Sequence, residues 1–484
     1  MSIRVGIIGS RFVAAAHAEA LRQTPGVELT AVASPNAEHA WALRRRFEIE
    51  HAFTDYKDML SSGFVDAITI ACPNDLHAQV TIDAAAAGKH VLVDKPMAMS
   101  LAECDRMIEA CKKAGVILMY GENLCFAPKY VRAKKLADQG ALGNVYYVRQ
   151  LECHFGPHSD WFWDINRSGG GVLMDMGCHS IAYCRWVFGN TPIESVYAEA
   201  GNFVHGRRTQ GDDHTVVMLR FAQSKKHPQG GLGVAENSWA RAGGLDDRAE
   251  IYGSKGLTVA DIARGGALHT YSTSGYSHAG EKAEQTRGWT WTSFDEVWNY
   301  GFPQEMAHFA DCIENEKRPM LTGEDGRAVL EIICAAYQSA RTGARVSLPL
   351  DTDSRKPVDY WLKGDPLTKT RAEVPLSMPA KPPEDAKAET KQSAAPPSEQ
   401  DAEPPAPPEP ATPAKEASAE PPEPTAKIQP ATAADAGPDA GPDGGPDAAS
   451  EDTDQPKAAG ELPDATAEAA EPPKKQAEAE DAAT

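Results

Sequence analysis

Over the first 120 residues, short apolar runs alternate with stretches whose apolar positions recur every three to four residues. That alternation predicts a parallel sheet covered by helices on both faces. Strands are expected at 3–8, 29–33, 67–71, 90–93 and 116–119, and helices near 13–23, 36–46, 76–87 and 101–114. Two helix ends are marked directly. Ser100 and Glu103 make a capping box ahead of the stripe Leu101, Cys104, Met107 and Ile108, while Gly88 stops the alanine-rich helix before it. After about Gly121 the period falls to two. Runs at 144–152, 193–200, 214–222, 232–241 and 248–253, broken by glycine-rich and polar turns, suit a mostly antiparallel open sheet with one face covered. Helical spacing returns at 303–315 and 323–342, and an irregular strap leads to Trp361.

The last quarter of the chain carries neither period. From Arg371 to Thr484 there are 25 Asp and Glu against nine Lys and Arg, 23 of the 36 prolines, and no aromatic residue. Such a composition cannot bury enough apolar surface to offset chain entropy, so 362–484 is expected to be a disordered, acidic Pro/Ala/Glu-rich tail. The tail holds most of the formal net charge of −21. The expected division is therefore 1–120, 121–361 and the tail. Nothing basic and interleaved with aromatics argues for nucleic acid, and no apolar run is long enough to span a bilayer. All nine cysteines precede the tail, and neither CxxC nor a Cys/His zinc spacing occurs. Reduced thiols in a cytoplasmic protein, with no metal, are the expectation. The first strand begins at Ile3, with no cleavable apolar leader ahead of it.

Chemistry gathers at the ends of the expected strands. The first runs into Gly9-Ser10-Arg11-Phe12-Val13-Ala14 and then a helix, the context a dinucleotide fingerprint requires. Gly9 suits the tight turn and Ala14 the close helix–strand packing, while Arg11 replaces the middle glycine. At the end of the second strand an acid would bind the ribose hydroxyls of NAD, and Ser34 stands there instead. Without that carboxylate a 2′-phosphate is not repelled, and Arg11 and His39 add positive charge. NAD and NADP are both candidates, with a slight lean to NADP. The Arg44–Arg46 run reads first as a solvated helix face.

Asp94-Lys95-Pro96 follows the run His90–Val93, at the sheet edge where α/β proteins bind ligands. Proline biases Lys95 towards extended backbone, and desolvation would lower its pKa towards neutrality. Further on, Gly169-Gly170-Gly171 precede Asp175 and His179, which share one face if the segment is helical. The glycines read as a flexible turn with little bulk beside a ligand.

Taken in order, Gly9…Ala14 with His17, Cys72-Pro73-Asn74-Asp75-Leu76-His77, Asp94-Lys95-Pro96, Gly121-Glu122-Asn123 and Gly169…His179 resemble the glucose–fructose oxidoreductase/inositol dehydrogenase (Gfo/Idh/MocA) family over about residues 3–350. The resemblance implies an α/β N-terminal Rossmann domain plus an α+β C-terminal domain that assembles into a homo-oligomer through its sheet. It implies an NAD(P)-dependent oxidoreductase transferring hydride between a nicotinamide cofactor and a sugar, cyclitol or related polyol. Lys95, Asp175 and His179 would line the catalytic site, and Pro73, Asn74, His77 and Asp94 would lie near the nicotinamide and its ribose.

Residue chemistry suggests a division of labour. His179 takes the hydroxyl proton, alone or shared with Lys95; Lys95 polarises the oxygen, and Asp175 orients and charge-stabilises the pair. Asn123, His158 and Trp161 are candidate substrate contacts, the last two within a His/aromatic cluster at 154–164 whose spacing matches no standard zinc pattern. Trp289, Trp291 and Trp298 read as core or interface. Two other functions fit the same fold. One is an enzyme that retains its NAD and cleaves or eliminates glycosides through transient oxidation; the other is a non-catalytic nucleotide-binding scaffold.

Overall fold

The protein is described from a computed structural model that covers residues 2–263, 269–273, 288–291 and 295–362. Six parallel strands form the first sheet: β1 (Ile3–Ile8), β2 (Val27–Ala33), β3 (His51–Phe53), β4 (Ala67–Ile70), β5 (His90–Asp94) and β6 (Leu118–Gly121). Their order is β3-β2-β1-β4-β5-β6. The chain winds outward from β1, then crosses to β4, so a crevice opens between the carboxyl ends of β1 and β4. Helices α1 (Phe12–Arg22), α2 (Ala37–Phe47), α3 (Tyr56–Ser61), α4 (Asn74–Ala86) and α5 (Leu101–Ala114) connect the strands. β4 is buried along its whole length, which is why its sequence, Ala-Ile-Thr-Ile, does not alternate apolar with charged residues.

Two elements of this first domain escaped the pattern. β3 and α3 are three and six residues long, too short to establish a period. The capping box is also displaced by one bond. Ser100 accepts from the Glu103 N–H at 3.2 Å, but the Glu103 carboxylate bonds the N–H of Met99 rather than that of Ser100.

The second sheet has seven strands: β7 (Val145–Cys153), β8 (Ile193–Gly201), β9 (His214–Phe221), β10 (Gly231–Ser238), β11 (Asp246–Gly253), β12 (Gly256–Asp261) and β15 (Val346–Ser347). Its order is β12-β11-β7-β10-β9-β8-β15, with β7 and β10 the parallel pair and every other pairing antiparallel. A separate backbone pair joins β13 (His269–Ser272) to β14 (Gly288–Trp291). The remaining helices are α6 (Pro128–Asp138), α7 (Ile165–Ser168), α8 (Val172–Asp175), α9 (Gly177–Val187), α10 (Glu296–Asn299), α11 (Phe302–Glu314), α12 (Gly323–Thr342) and α13 (Asp359–Leu362). α9 packs on β7 and β10, while α12 touches β8, α9, β6 and α5, and so reaches both sheets. One continuous hydrophobic core runs through both.

Trp298 is 52% exposed and belongs to no core. The side chains of Trp289 and Trp291, and the expected tail from residue 363 onward, lie outside the described residues.

Candidate active site

A cavity of about 740 Å³ opens at the switch point and runs from the β1–α1 turn to the second sheet. At one end the turn is drawn tight. Gly9 has φ +132°, and a Cβ there would stand 2.2 Å from the Ala71 carbonyl oxygen at the end of β4. Only glycine fits this position. Arg11 occupies the N-cap of α1 without a side-chain cap bond, so the first-turn N–H groups of an 11-residue helix face the cavity beside Ser10, Arg11, Phe12 and Val13. Uncapped helix N-termini favour anions, which is the chemistry a pyrophosphate brings. Ser34 closes the end of β2 and receives a hydrogen bond from the Ser10 hydroxyl at 2.9 Å. His39 and Asp55 also line this end, but one Asp55 oxygen already accepts from the Lys57 N–H as the cap of α3. Arg44 Nε bonds the Glu50 carbonyl and Arg46 lies over Phe47, as a solvated face would. The turn, the uncapped helix and the cavity together fit a dinucleotide.

At the other end Lys95, just beyond β5, meets Asp175 from across the sheets. Lys95 Nζ donates to the Asp175 carbonyl at 2.8 Å and to Asp175 Oδ1 at 3.0 Å. Trp239 Nε1 donates to the other carboxylate oxygen at 3.1 Å. Burial opposes the lysine's charge, yet Asp175, Asp94 and Glu152 outweigh it and hold the pKa above its ordinary value. This corrects the expectation of a lysine lowered towards neutrality: Lys95 is a stable cation. Burial opposes the Asp175 charge as well, and Lys95 followed by His158 and His154 overcomes it, holding that carboxyl at about 2. Burial lifts Asp94, which lines the same cavity, up to about 7 against the pull of Lys95.

His179 stands in the first turn of α9 with Nδ1 on Glu122 Oε1 and Nε2 4.0 Å from Glu152 Oε2. A break at Met176 separates α8 from α9, so Asp175 and His179 do not share one helix. The carboxylate on the imidazole is that of Glu122, whereas Asp175 is committed to Lys95 and Trp239.

Several expected roles move. His77 is buried with its ring nitrogens 2.8 and 2.9 Å from the carbonyls of Pro96 and Cys72, and it lies beneath the cavity rather than on its wall. Pro73 and Asn74 do line the cavity, with Asn74 Nδ2 donating to the Ser168 carbonyl at 2.9 Å. Asn123 also lines it, with its amide donating to the Tyr300 carbonyl at 2.8 Å. Trp161 stacks on Phe162, and His158 stacks on Phe12 with ring centroids 5.1 Å apart, joining the nucleotide turn to the second sheet's loop.

The glycine run faces protein, not ligand. A Cβ on Gly170 would meet the Tyr337 hydroxyl at 2.3 Å, and one on Gly171 the Asp212 carbonyl at 1.9 Å. Asp212 holds the segment from the far side, accepting from the Gly171 and Leu173 N–H groups at 3.0 and 2.9 Å. Asp212, Trp239, Glu122 and Glu152 were not singled out from sequence. Glu122 alone carried a signal, sitting in the Gly121-Glu122-Asn123 motif at a strand's exit.

Fold and cavity together define a dinucleotide-binding protein of the doubly wound α/β class, completed by a second, mostly antiparallel sheet. Residues 3–122 match the GFO_IDH_MocA family, described as an oxidoreductase family with an NAD-binding Rossmann fold, and residues 130–259 match the GFO/IDH/MocA C-terminal domain. The chain belongs to the Gfo/Idh/MocA oxidoreductase family. It is 29% identical over 349 residues to the myo-inositol 2-dehydrogenase of Thermotoga maritima, covering 72% of this chain and 98% of that one. It is 29% identical over 356 residues to the scyllo-inositol 2-dehydrogenase (NAD(+)) of Bacillus subtilis, covering 72% and 96%. Among solved structures, GenD2 from gentamicin A biosynthesis in complex with NAD is similar with a TM-score of 0.67 at 30% identity, covering 72% of this chain and 97% of that one. Among the described residues no helix is long and apolar enough to cross a membrane, and no cluster of His, Cys, Asp and Glu has the form of a metal site.

Proposed function

We propose that this oxidoreductase transfers hydride between a nicotinamide cofactor and a secondary alcohol of a sugar, cyclitol or related polyol. The observation that carries the reading is the single cavity that joins the uncapped α1 turn to Lys95, Asp175 and His179. The bound nicotinamide supplies the hydride acceptor. The chain's own groups handle the proton and the oxygen. Lys95 spends two of its three donors on Asp175, and the third is left for the reacting oxygen. As a cation it stabilises charge developing there, while His179 Nε2 takes the hydroxyl proton. Asp175 keeps the lysine charged and aimed. Glu152, Asn123 and Trp161 offer polar and apolar surface to the rest of the polyol. Residues 1–120 serve the nucleotide and 121–361 the substrate, in a cytoplasmic protein whose nine cysteines are unpaired thiols.

Ser34 and Arg11 extend the reading to the cofactor: NADP binds at least as tightly as NAD. The test is absorbance at about 340 nm with either nucleotide and a panel of cyclitols, aldoses and alditols. Stoichiometric NAD(P)H formation is expected, with H179A lowering kcat by about 10²–10⁴ and leaving the cofactor Kd unchanged. Catalytic cleavage of a glycoside without net NAD(P)H, or full turnover by H179A, overturns the dehydrogenase. A tenfold preference for NAD overturns only the cofactor assignment.

The outer face of the second sheet supports a homo-oligomer. Leu257, Tyr252, Tyr147 and Leu232 lie side by side across four strands, and Val259 and Met218 are exposed beside them. Contiguous apolar surface of this kind marks an interface. Sedimentation equilibrium reads the state directly, and a monomer at micromolar concentration ends the proposal.

A further inference from the structure

His179 is held by a carboxylate from the other sheet. Glu122 follows β6, is fully buried, and places Oε1 on His179 Nδ1. A carboxylate only accepts, so the ring proton belongs on Nδ1 and the lone pair on Nε2. The other Glu122 oxygen is buried with no hydrogen-bond partner, so the imidazole is where this carboxylate finds its bond. Its acidic neighbour does not compete. Glu305 on α11 takes a hydrogen bond from the Glu122 backbone, and burial raises its carboxyl well above the usual range, which disfavours a second negative charge beside Glu122.

We infer that Glu122 is a positioning residue for His179. It fixes the Nδ1–H tautomer and stabilises the imidazolium that forms at Nε2 as substrate is oxidised. The inference rests on the dehydrogenase reading and balances as that reaction does. The substrate O–H bond breaks and its proton goes to Nε2; the C–H bond breaks and its electron pair leaves as hydride to the nicotinamide; a carbonyl forms. Carboxylate–imidazole pairing of this kind raises ring basicity and sets ring orientation. The arrangement moves the orienting role from Asp175, which is engaged elsewhere, to Glu122.

The other charged or titratable groups around the Glu122–His179 pair are Glu152 on β7, the Lys95–Asp175 pair, Asp94 at the end of β5, Tyr120 on β6, Glu305 on α11 and the Cys125 and Cys178 thiols. E122Q leaves all of them in place. In the full-length protein E122Q is expected to lower kcat about 10–100-fold and to move the acidic limb of the kcat/KM–pH profile downward. KM and the cofactor Kd stay within about twofold, since Glu122 lies behind His179 and does not line the cavity. E122D restores part of the loss.

A second readout needs no turnover. With labelled histidine, the His179 NMR resonance, assigned by its absence in H179Q, titrates at lower pH in E122Q than in the wild type. If the wild type oxidises no polyol, the dehydrogenase reading falls, and this titration still decides the pair. An unchanged His179 titration in E122Q overturns the inference, as does an unchanged kcat. If E122Q fails to fold, E122D takes its place: its shorter carboxylate must lower the His179 titration, and no shift overturns the pairing.

Discussion

Lys95→Met is expected to reduce kcat by about 10³ while the nucleotide still binds, because the substitution removes a fixed cation from the reacting oxygen. Stability falls with it. Asp175 is 4% exposed and would keep the Trp239 N–H and the weaker pull of His158 and His154. Breaking a buried pair in this way costs about 3–5 kcal/mol, because one charge is left uncompensated. The pH dependence distinguishes this cause from a packing defect. Against the opposing effect of burial, Lys95 holds the Asp175 carboxyl at about 2 in the folded chain, below its ordinary 3.8. Its contribution is therefore complete above about pH 4 and is lost as the pH falls towards 2. In Lys95→Met the buried carboxyl becomes easier to protonate, so the deficit measured by urea unfolding should be largest near neutrality and shrink on acidification. A deficit independent of pH would mean that the ion pair is not its source.

Gly171→Ala is the second large effect, and it acts through the backbone. The added methyl would sit 1.9 Å from the Asp212 carbonyl oxygen and 2.6 Å from the Asp212 backbone nitrogen. Neither atom can give way without shifting the loop that leads into β9. A loss of about 3 kcal/mol is expected, at the upper end for overpacking. Activity falls as well, since Asp175 ends the helix that Gly171 begins. Denaturant titration alongside kcat checks both: wild-type stability would show that this segment repacks freely.

Gly171 also shows how far the sequence could be read. Strand–helix alternation up to Met119 and the period-two runs after Gly121 located both sheets, because long elements repeat their pattern several times. β3 and α3 were too short to repeat, and β12 and α6 were likewise missed. Within the site, Lys95, Asp175 and His179 were legible because each stands at a strand's exit or inside an unusual motif. Their partners were not. Glu122 reaches His179 across 57 positions and Trp239 reaches Asp175 across 64, distances over which no local pattern operates. The glycine run was recognised, but its purpose was misread, because the residues it accommodates are distant: Asp212 lies 41 positions from Gly171 and Tyr337 lies 166. The lysine's charge was misjudged for the same reason: burial is a local expectation, whereas the carboxylates that oppose it converge from both sheets.

α12 carries a consequence for how ligands come and go. It is anchored at its start by the capping box of Thr322 and Asp325, and it packs against elements of both sheets within one uninterrupted core. A hinge needs a seam along which two bodies can part, and that core offers none. Ligand exchange is therefore expected at the open side of the cavity, where the exposed Phe12 ring stacks on His158, and not through the parting of two lobes.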